Sequence, residues 1–266
     1  YTLTADVSDA AGNAAAQVTS SSFAVDTTLP TINAIGTGAF SWGAVLNATE
    51  DDNDGTVSVT TVGVEDGQTV TITLNGSTYT NTVSSNATTV TITAADLQNL
   101  TEGSVTMTAD VSDAAGNAAA QVTSSAFTYD KTAPTISQVT STTNDGSYNV
   151  PDEIDITVGF SEAVTLSAGG NLVVTLDTGG TATISSITAA STASATYTVG
   201  PGETSSDLSV TNISLSGGTI TDAAGNSMGF FTGYTDLADS SALVIDTTVP
   251  TINAIGTGAF SWGAVL

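Results

Sequence analysis

The chain has 266 residues, 40% of them apolar, with one basic side chain against 26 acidic ones and a formal net charge of −25. With Lys131 alone to meet phosphate, nucleic acid is excluded as a partner and an anionic membrane surface is disfavoured. Cysteine and histidine are both absent, which removes disulfides, thiolate metal sites and the commonest general base.

No stretch approaches the ~20 consecutive apolar residues of a membrane span, so no membrane insertion is expected. High net charge is one mark of disorder, but here the apolar residues are too many and too regularly placed. Bound cations that neutralise the acids are the remaining explanation. A chain rich in Asp and Asn offers hard oxygen ligands, which select calcium.

Read from the first residue, the chain repeats itself. Residues 4–21, TADVSDAAGNAAAQVTSS, recur unchanged at 108–125. A D-x-T-x-P mark follows at Asp26–Pro30 and returns at Asp130–Pro134 and Asp246–Pro250. Residues 31–46, TINAIGTGAFSWGAVL, recur unchanged at 251–266. Complete repeats are therefore expected at 27–130 and 131–246. Residues 1–26 read as the C-terminal part of a repeat of the first type, and 247–266 as the N-terminal part of another. Such half-units imply a longer array.

Within the first repeat, Phe40-Ser41-Trp42 reads as a packing element rather than a sugar platform, because it returns with the repeat. The acidic run Glu50-Asp51-Asp52-Asn53-Asp54 falls between the first two strands. It could complete a metal site at the repeat junction, bind a separate cation or be a solvated loop. Val57 and Val59, then Val70, Ile72 and Leu74, then Val90 and Ile92, then Val105, Met107, Ala109 and Val111 alternate with Thr and Ser. A period of two with β-branched residues predicts half-buried antiparallel strands. Asn75-Gly76 predicts a tight hairpin, and Ala94–Leu97 one helical turn.

The second repeat runs through Ile154/Ile156/Val158, Leu172/Val174/Leu176, Ile184/Ile187, Tyr197/Val199 and Val210/Ile213/Leu215, with a hairpin at Gly179-Gly180. The stretch 228–240, with Phe230, Phe231 and Tyr234, reads as a loop whose aromatics cover a sandwich edge; ligand contact is the other reading. The predicted fold is all-β: tandem Ig-like antiparallel β-sandwiches with Greek-key connections, about seven strands each, in a linear array.

The acids fall into constellations. D-A-A-G-N occurs at 9–13, 113–117 and 222–226; Asp supplies carboxylate oxygens, Gly a sharp turn and Asn an amide oxygen. In the predicted topology the first complete repeat gathers Asp26 (linker), Glu65 and Asp66 (between strands B and C), and Asp113 and Asn117 (between F and G), with Asp110 ending strand F nearby. The second gathers Asp130 (linker), Glu162 (between B and C), Asp222 and Asn226. Asp9, Asn13 and Asp246 hold the equivalent places in the partial repeats. Carboxylates about 4 Å apart repel by roughly 4 kcal/mol at an effective dielectric of ~20. A calcium ion taking 6–8 oxygens at about 2.3–2.6 Å reverses that sign.

The D-x-T-x-P linkers, V-E-D-G-Q-T-V-T-I-T-L-N-G at 64–76 and A-D-V-S-D-A-A-G-N resemble the bacterial Ig-like repeats that build the extender regions of very large repeats-in-toxin adhesins, ice-binding bacterial adhesins among them. F-S-E-A-V at 160–164 and G-G-T-I-T-D-A-A-G-N at 217–226 are similar to another Ig-like or cadherin-like class from the same surface proteins. The resemblance implies type I secretion to the bacterial cell surface, calcium at interdomain junctions and a stalk that holds a terminal binding domain, absent from this segment, off the cell. The expected partners are neighbouring repeats and, in a fibre, identical chains.

The expected function is therefore a structural extender. A laterally assembled filament or surface layer is one alternative and a glycan-binding module a second. An enzyme is not expected: catalytic carboxylate pairs sit in clefts, whereas these acids sit at the poles and recur with every repeat.

Overall fold

The computed structural model describes residues 1–253; the part of the expected final half-repeat from residue 254 onward lies outside the described residues. The chain divides into two units, Tyr1–Thr132 and the remainder from Ala133. Each is built almost wholly of strands around its own apolar core.

In the first unit the alternation of Val and Thr decides which side of each strand is buried. Gly55–Val62 pairs antiparallel with Ala87–Ile92 and, at its far end, with Thr31–Ile32. The opposing sheet runs in the order Val122–Thr123, Thr108–Asp110, Thr69–Leu74, Ser77–Thr82. Val57, Val59, Val70, Ile72, Leu74, Val90 and Ile92 are buried between the sheets, while the intervening Thr and Ser face outward.

The chain's own turn chemistry closes the predicted connections. Asn75 and Gly76 take φ of +48° and +82°, and Leu74 pairs directly with Ser77, as a two-residue hairpin of this hand requires. The helical turn is Ala94–Gln98, whose N–H at Asp96 is capped by Thr93 Oγ1 at 3.3 Å.

The last hairpin of this unit spans both of its ladders. Thr108–Asp110 pairs with Val122–Thr123, and further along Gly103–Val105 pairs with Phe127–Tyr129, which also lies parallel to Val45–Leu46. Phe127 seats edge-on against Phe40 and Trp42 with ring centroids 5.5 and 5.3 Å apart, and Phe40 stacks on Trp42 at 5.4 Å. Trp42 is thus a core residue and presents no platform to a sugar.

The second unit follows the same plan with longer strands. Glu153–Leu166 carries Ile136–Thr140 on one side and Ala190–Thr198 on the other, and its end pairs with Ile220–Thr221. Asn171–Leu176 lies between Thr181–Ile184 and Val210–Ser216. Leu243–Asp246 joins Gly146–Tyr148 and Thr204–Ser205. The 228–240 stretch covers the core, with Met228 and Leu237 buried and Phe231 and Tyr234 packed against it, while Phe230 stands 82% exposed.

One sequence expectation changes here. Glu162 is not on a loop between strands; it sits inside Glu153–Leu166, where pairing to Ala190–Thr198 breaks register between Gly159 and Val164. Such an irregularity frees a few residues from the ladder and re-aims their side chains.

Candidate metal centre

The D-A-A-G-N loops are hairpin turns fastened by their own side chains. In each copy the Asp Oδ1 accepts the backbone N–H of the Asn and Oδ2 accepts its side-chain amide. The distances are 2.8 and 2.8 Å for Asp9–Asn13, 2.7 and 2.8 Å for Asp113–Asn117, and 2.9 and 2.9 Å for Asp222–Asn226. The glycine before each Asn has φ of +90°, +93° or +94°, a backbone state that a side chain would strain. The Asn amide, first, and the backbone N–H groups hold the carboxyls of Asp9 and Asp113 below the usual carboxylate range.

The linker acids are equally alike. Asp26, Asp130 and Asp246 each use Oδ1 to accept the N–H of the Thr two residues on, at 2.9, 3.1 and 2.9 Å. This Asx turn is the local reason for D-x-T. After the second of them, Glu102 ties the linker down: it accepts from the Lys131 N–H at 2.9 Å and from Thr132 Oγ1 at 2.8 Å. The Thr132 hydroxyl, then the Lys131 N–H, hold the Glu102 carboxyl below its usual range. Sequence reading missed Glu102, since nothing in T-E-G announces it.

Around the loop of the first complete repeat, Glu65 Oε2 accepts the Ala114 N–H at 2.9 Å, and the Asn117 amide also reaches the Asp26 carbonyl at 3.2 Å. Asp113 is buried. Linker, Glu65 and hairpin loop are therefore brought together. Asp66 accepts the Ser85 N–H at 2.7 Å, and Asp110 holds the Gln121 amide through both oxygens at 3.1 and 2.9 Å. Those two have partners away from the loop, and Asp6 repeats the second arrangement with Gln17.

In the second unit one carboxylate oxygen of Glu162 lies within 4.8 Å of one of Asp222. Asp222 and Asn226 are buried and Glu162 is half-buried. The donors are all hard oxygens, a set suited to calcium and not to a thiolate- or imidazole-seeking metal.

The acidic run between the first two strands has other employment. Asp51 is buried and accepts from the Tyr129 hydroxyl at 2.6 Å. Glu50 holds the Asn47 N–H at 3.1 Å, Asp52 the Gln98 amide at 2.9 Å and Asp54 the Ala94 N–H at 2.9 Å. Each acid fixes a different neighbour.

Residues 130–235 match the family model of a bacterial Ig-like domain. No curated protein matches the chain. Among solved structures the chain is similar to a Ca2+-stabilized adhesin that helps an Antarctic bacterium reach out and bind ice, at 26% identity over 94% of this chain and 57% of that one, with a TM-score of 0.42. It is also similar to a 1.5-MDa bacterial ice-binding adhesin studied for host cell surface retention, at 22% identity over 93% and 74% of the two chains, TM-score 0.46. A bacterial immunoglobulin-like domain from the M. primoryensis ice-binding adhesin is 33% identical over 38% of this chain and 94% of that one, TM-score 0.28. The chain spans a little over half the length of the first of these.

Proposed function

Residues 130–235 are a bacterial Ig-like domain, and from that premise we propose that the chain is a stalk segment of a bacterial cell-surface adhesin, stiffened by calcium at the start of each sandwich. The observation that carries this reading is repetition of the same hardware. Three D-A-A-G-N hairpins with one bonding pattern and three linker Asx turns recur along the chain.

A selective binder needs a distinctive surface, and a spacer needs identical units. In this reading Glu162 and Asp222 supply carboxylates to one ion, while Asp222 is kept in place by Asn226. Asp26, Glu65, Asp113 and Asn117 serve the preceding sandwich. Glycan recognition through Trp42 is disfavoured by its burial.

Calcium titration calorimetry on the whole chain tests the reading. Extracellular modules bind with dissociation constants of about 10⁻⁴–10⁻³ M, and Glu162→Gln is expected to weaken one class of sites by on the order of tenfold because it removes a ligand charge. Heat of calcium binding that is absent from the wild-type chain, or unchanged in the variant, would contradict the assignment.

A further inference from the structure

Four pairs along the chain put an Asp or Asn side chain directly before a glycine N–H: Asp54-Gly55, Asp66-Gly67, Asn75-Gly76 and Asp145-Gly146. In such a pair the backbone nitrogen can attack the side-chain carbonyl carbon, and no Cβ on the glycine obstructs it. Every other asparagine is followed by a residue that carries a side chain.

The structure separates the four pairs. Asp54, Asp66 and Asp145 are each held through Oδ1 by a backbone N–H, of Ala94, Ser85 and Ala242, at 2.9, 2.7 and 2.9 Å. Being carboxylates, they are also ionised at neutral pH and poor targets for a nucleophile. Asn75 is different. It and Gly76 are exposed at the tip of the hairpin between Thr69–Leu74 and Ser77–Thr82. Among the described residues no hydrogen bond reaches the Asn75 carboxamide or the Gly76 N–H. The carboxamides of Asn13, Asn117 and Asn226, by contrast, are all tied to aspartates.

The backbone supplies the approach. The φ values of +48° at Asn75 and +82° at Gly76 are the two positive values of a type I′ turn. Turning over the one peptide unit between these residues gives type II′, the other two-residue hairpin turn, and leaves the flanking pair Leu74–Ser77 in place. The flip needs a negative φ at Gly76, and glycine accepts either sign. In type II′ the first central residue has ψ of about −120°. For an L residue that rotation eclipses Cβ with the following nitrogen, as a five-membered ring through Cβ and Cγ requires.

We propose that Asn75 is a site of spontaneous covalent modification, deamidated through a succinimide formed with Gly76. The Gly76 nitrogen bonds to Asn75 Cγ and passes its proton, through solvent, to the departing NH2. The Cγ–NH2 bond breaks and ammonia leaves. One water molecule then opens the ring, and nothing is oxidised or reduced. Opening at Cγ leaves an aspartate; opening at the backbone carbonyl carbon leaves an isoaspartate, whose chain runs through Cβ and Cγ. Either product carries one more negative charge. The isoaspartyl path adds a carbon to a two-residue turn that Leu74 and Ser77 close by direct pairing, so it loosens Ser77–Thr82, the end strand of its sheet.

The test is incubation of the folded full chain in mildly alkaline buffer, followed by ion exchange and by peptide mapping in the mass spectrometer. The expected first product is one species, more acidic by a single charge, in which Asn75 has exchanged NH2 for OH. Part of it is expected to accept a methyl group from an isoaspartyl methyltransferase. Asn75→Gln, whose ring would need a sixth member, is expected to lose that species. A first reaction at any other asparagine, or at an Asp-Gly pair, would overturn the proposal. So would an Asn75 that stays intact in the folded chain while guanidinium-unfolded chain loses it, since the hairpin would then lock the turn against the flip.

Discussion

At Gly55 an added Cβ would lie 2.3 Å from Trp42 Cζ3 and 2.8 Å from Cε3, in a core where Trp42 is held by Phe40 and Phe127. Gly55→Ala must therefore displace an aromatic ring, and urea unfolding should show a loss of about 1–3 kcal/mol, as overpacking typically gives. A larger effect is expected at Tyr129→Phe, which leaves the buried Asp51 carboxylate without its 2.6 Å donor; a charged acceptor deprived in this way costs about 1.5–3 kcal/mol or more. Tyr197 is the counterpart in the second unit. Burial, and then its 2.6 Å bond to Glu203, push its hydroxyl up to about 12. The unfolded phenol titrates near ~10, so this contribution is complete below that pH and fades as pH rises toward about 12. Alkaline melts of Tyr197→Phe should accordingly fall less steeply over that interval than those of the wild type. At this scale the sequence was partly readable. The recurrence of Phe40-Ser41-Trp42 pointed to packing, but the Asp51–Tyr129 bond joins residues 78 apart and no local pattern encodes it.

Among the elements, the D-A-A-G-N hairpin is the one whose charge and shape depend on each other. Asn117 donates to both oxygens of Asp113 and holds its carboxyl low. A carboxyl lowered on folding stabilises above the ordinary carboxylate range, and this is lost as pH falls through the folded value. Asn117→Ala removes the amide donor, so thermal melts in chelator should show lower stability than wild type at neutral pH and a gap that narrows as pH is taken toward 3, about where acids protonate; a gap independent of pH would show that the carboxylate plays no part. The turn itself was readable from Asp, Gly and Asn at their spacing, and the Asn75-Gly76 hairpin likewise. The place of Glu162 inside a strand was not, because F-S-E-A-V looks like a loop until the register break between Gly159 and Val164 reveals an interrupted strand. Asp66 and Asp110 were placed near the loop by the predicted topology, while their bonds to Ser85 and Gln121 join residues that no local pattern pairs.

For the molecule as a whole, sandwich architecture followed from the period-two alternation, since Val and Ile on one side of a strand can be buried only between sheets. Glu162 and Asp222 drew attention because topologically equivalent places each carried an acid; the approach of their carboxylates, set by side-chain direction, was beyond sequence. In the proposed stalk, calcium binds the folded chain and not the unfolded one, so at a hundredfold excess over the dissociation constant it should add about 2.7 kcal/mol per site. Thermal midpoints should rise with calcium and fall in chelator, with Glu162→Gln showing the smaller rise. The most direct test of the calcium-stiffened stalk is small-angle scattering of the chain in millimolar calcium and again after chelation. The account predicts a longer, better-defined maximum dimension with calcium and a broader, more flexible profile without it. Superimposable profiles in the two conditions would contradict it.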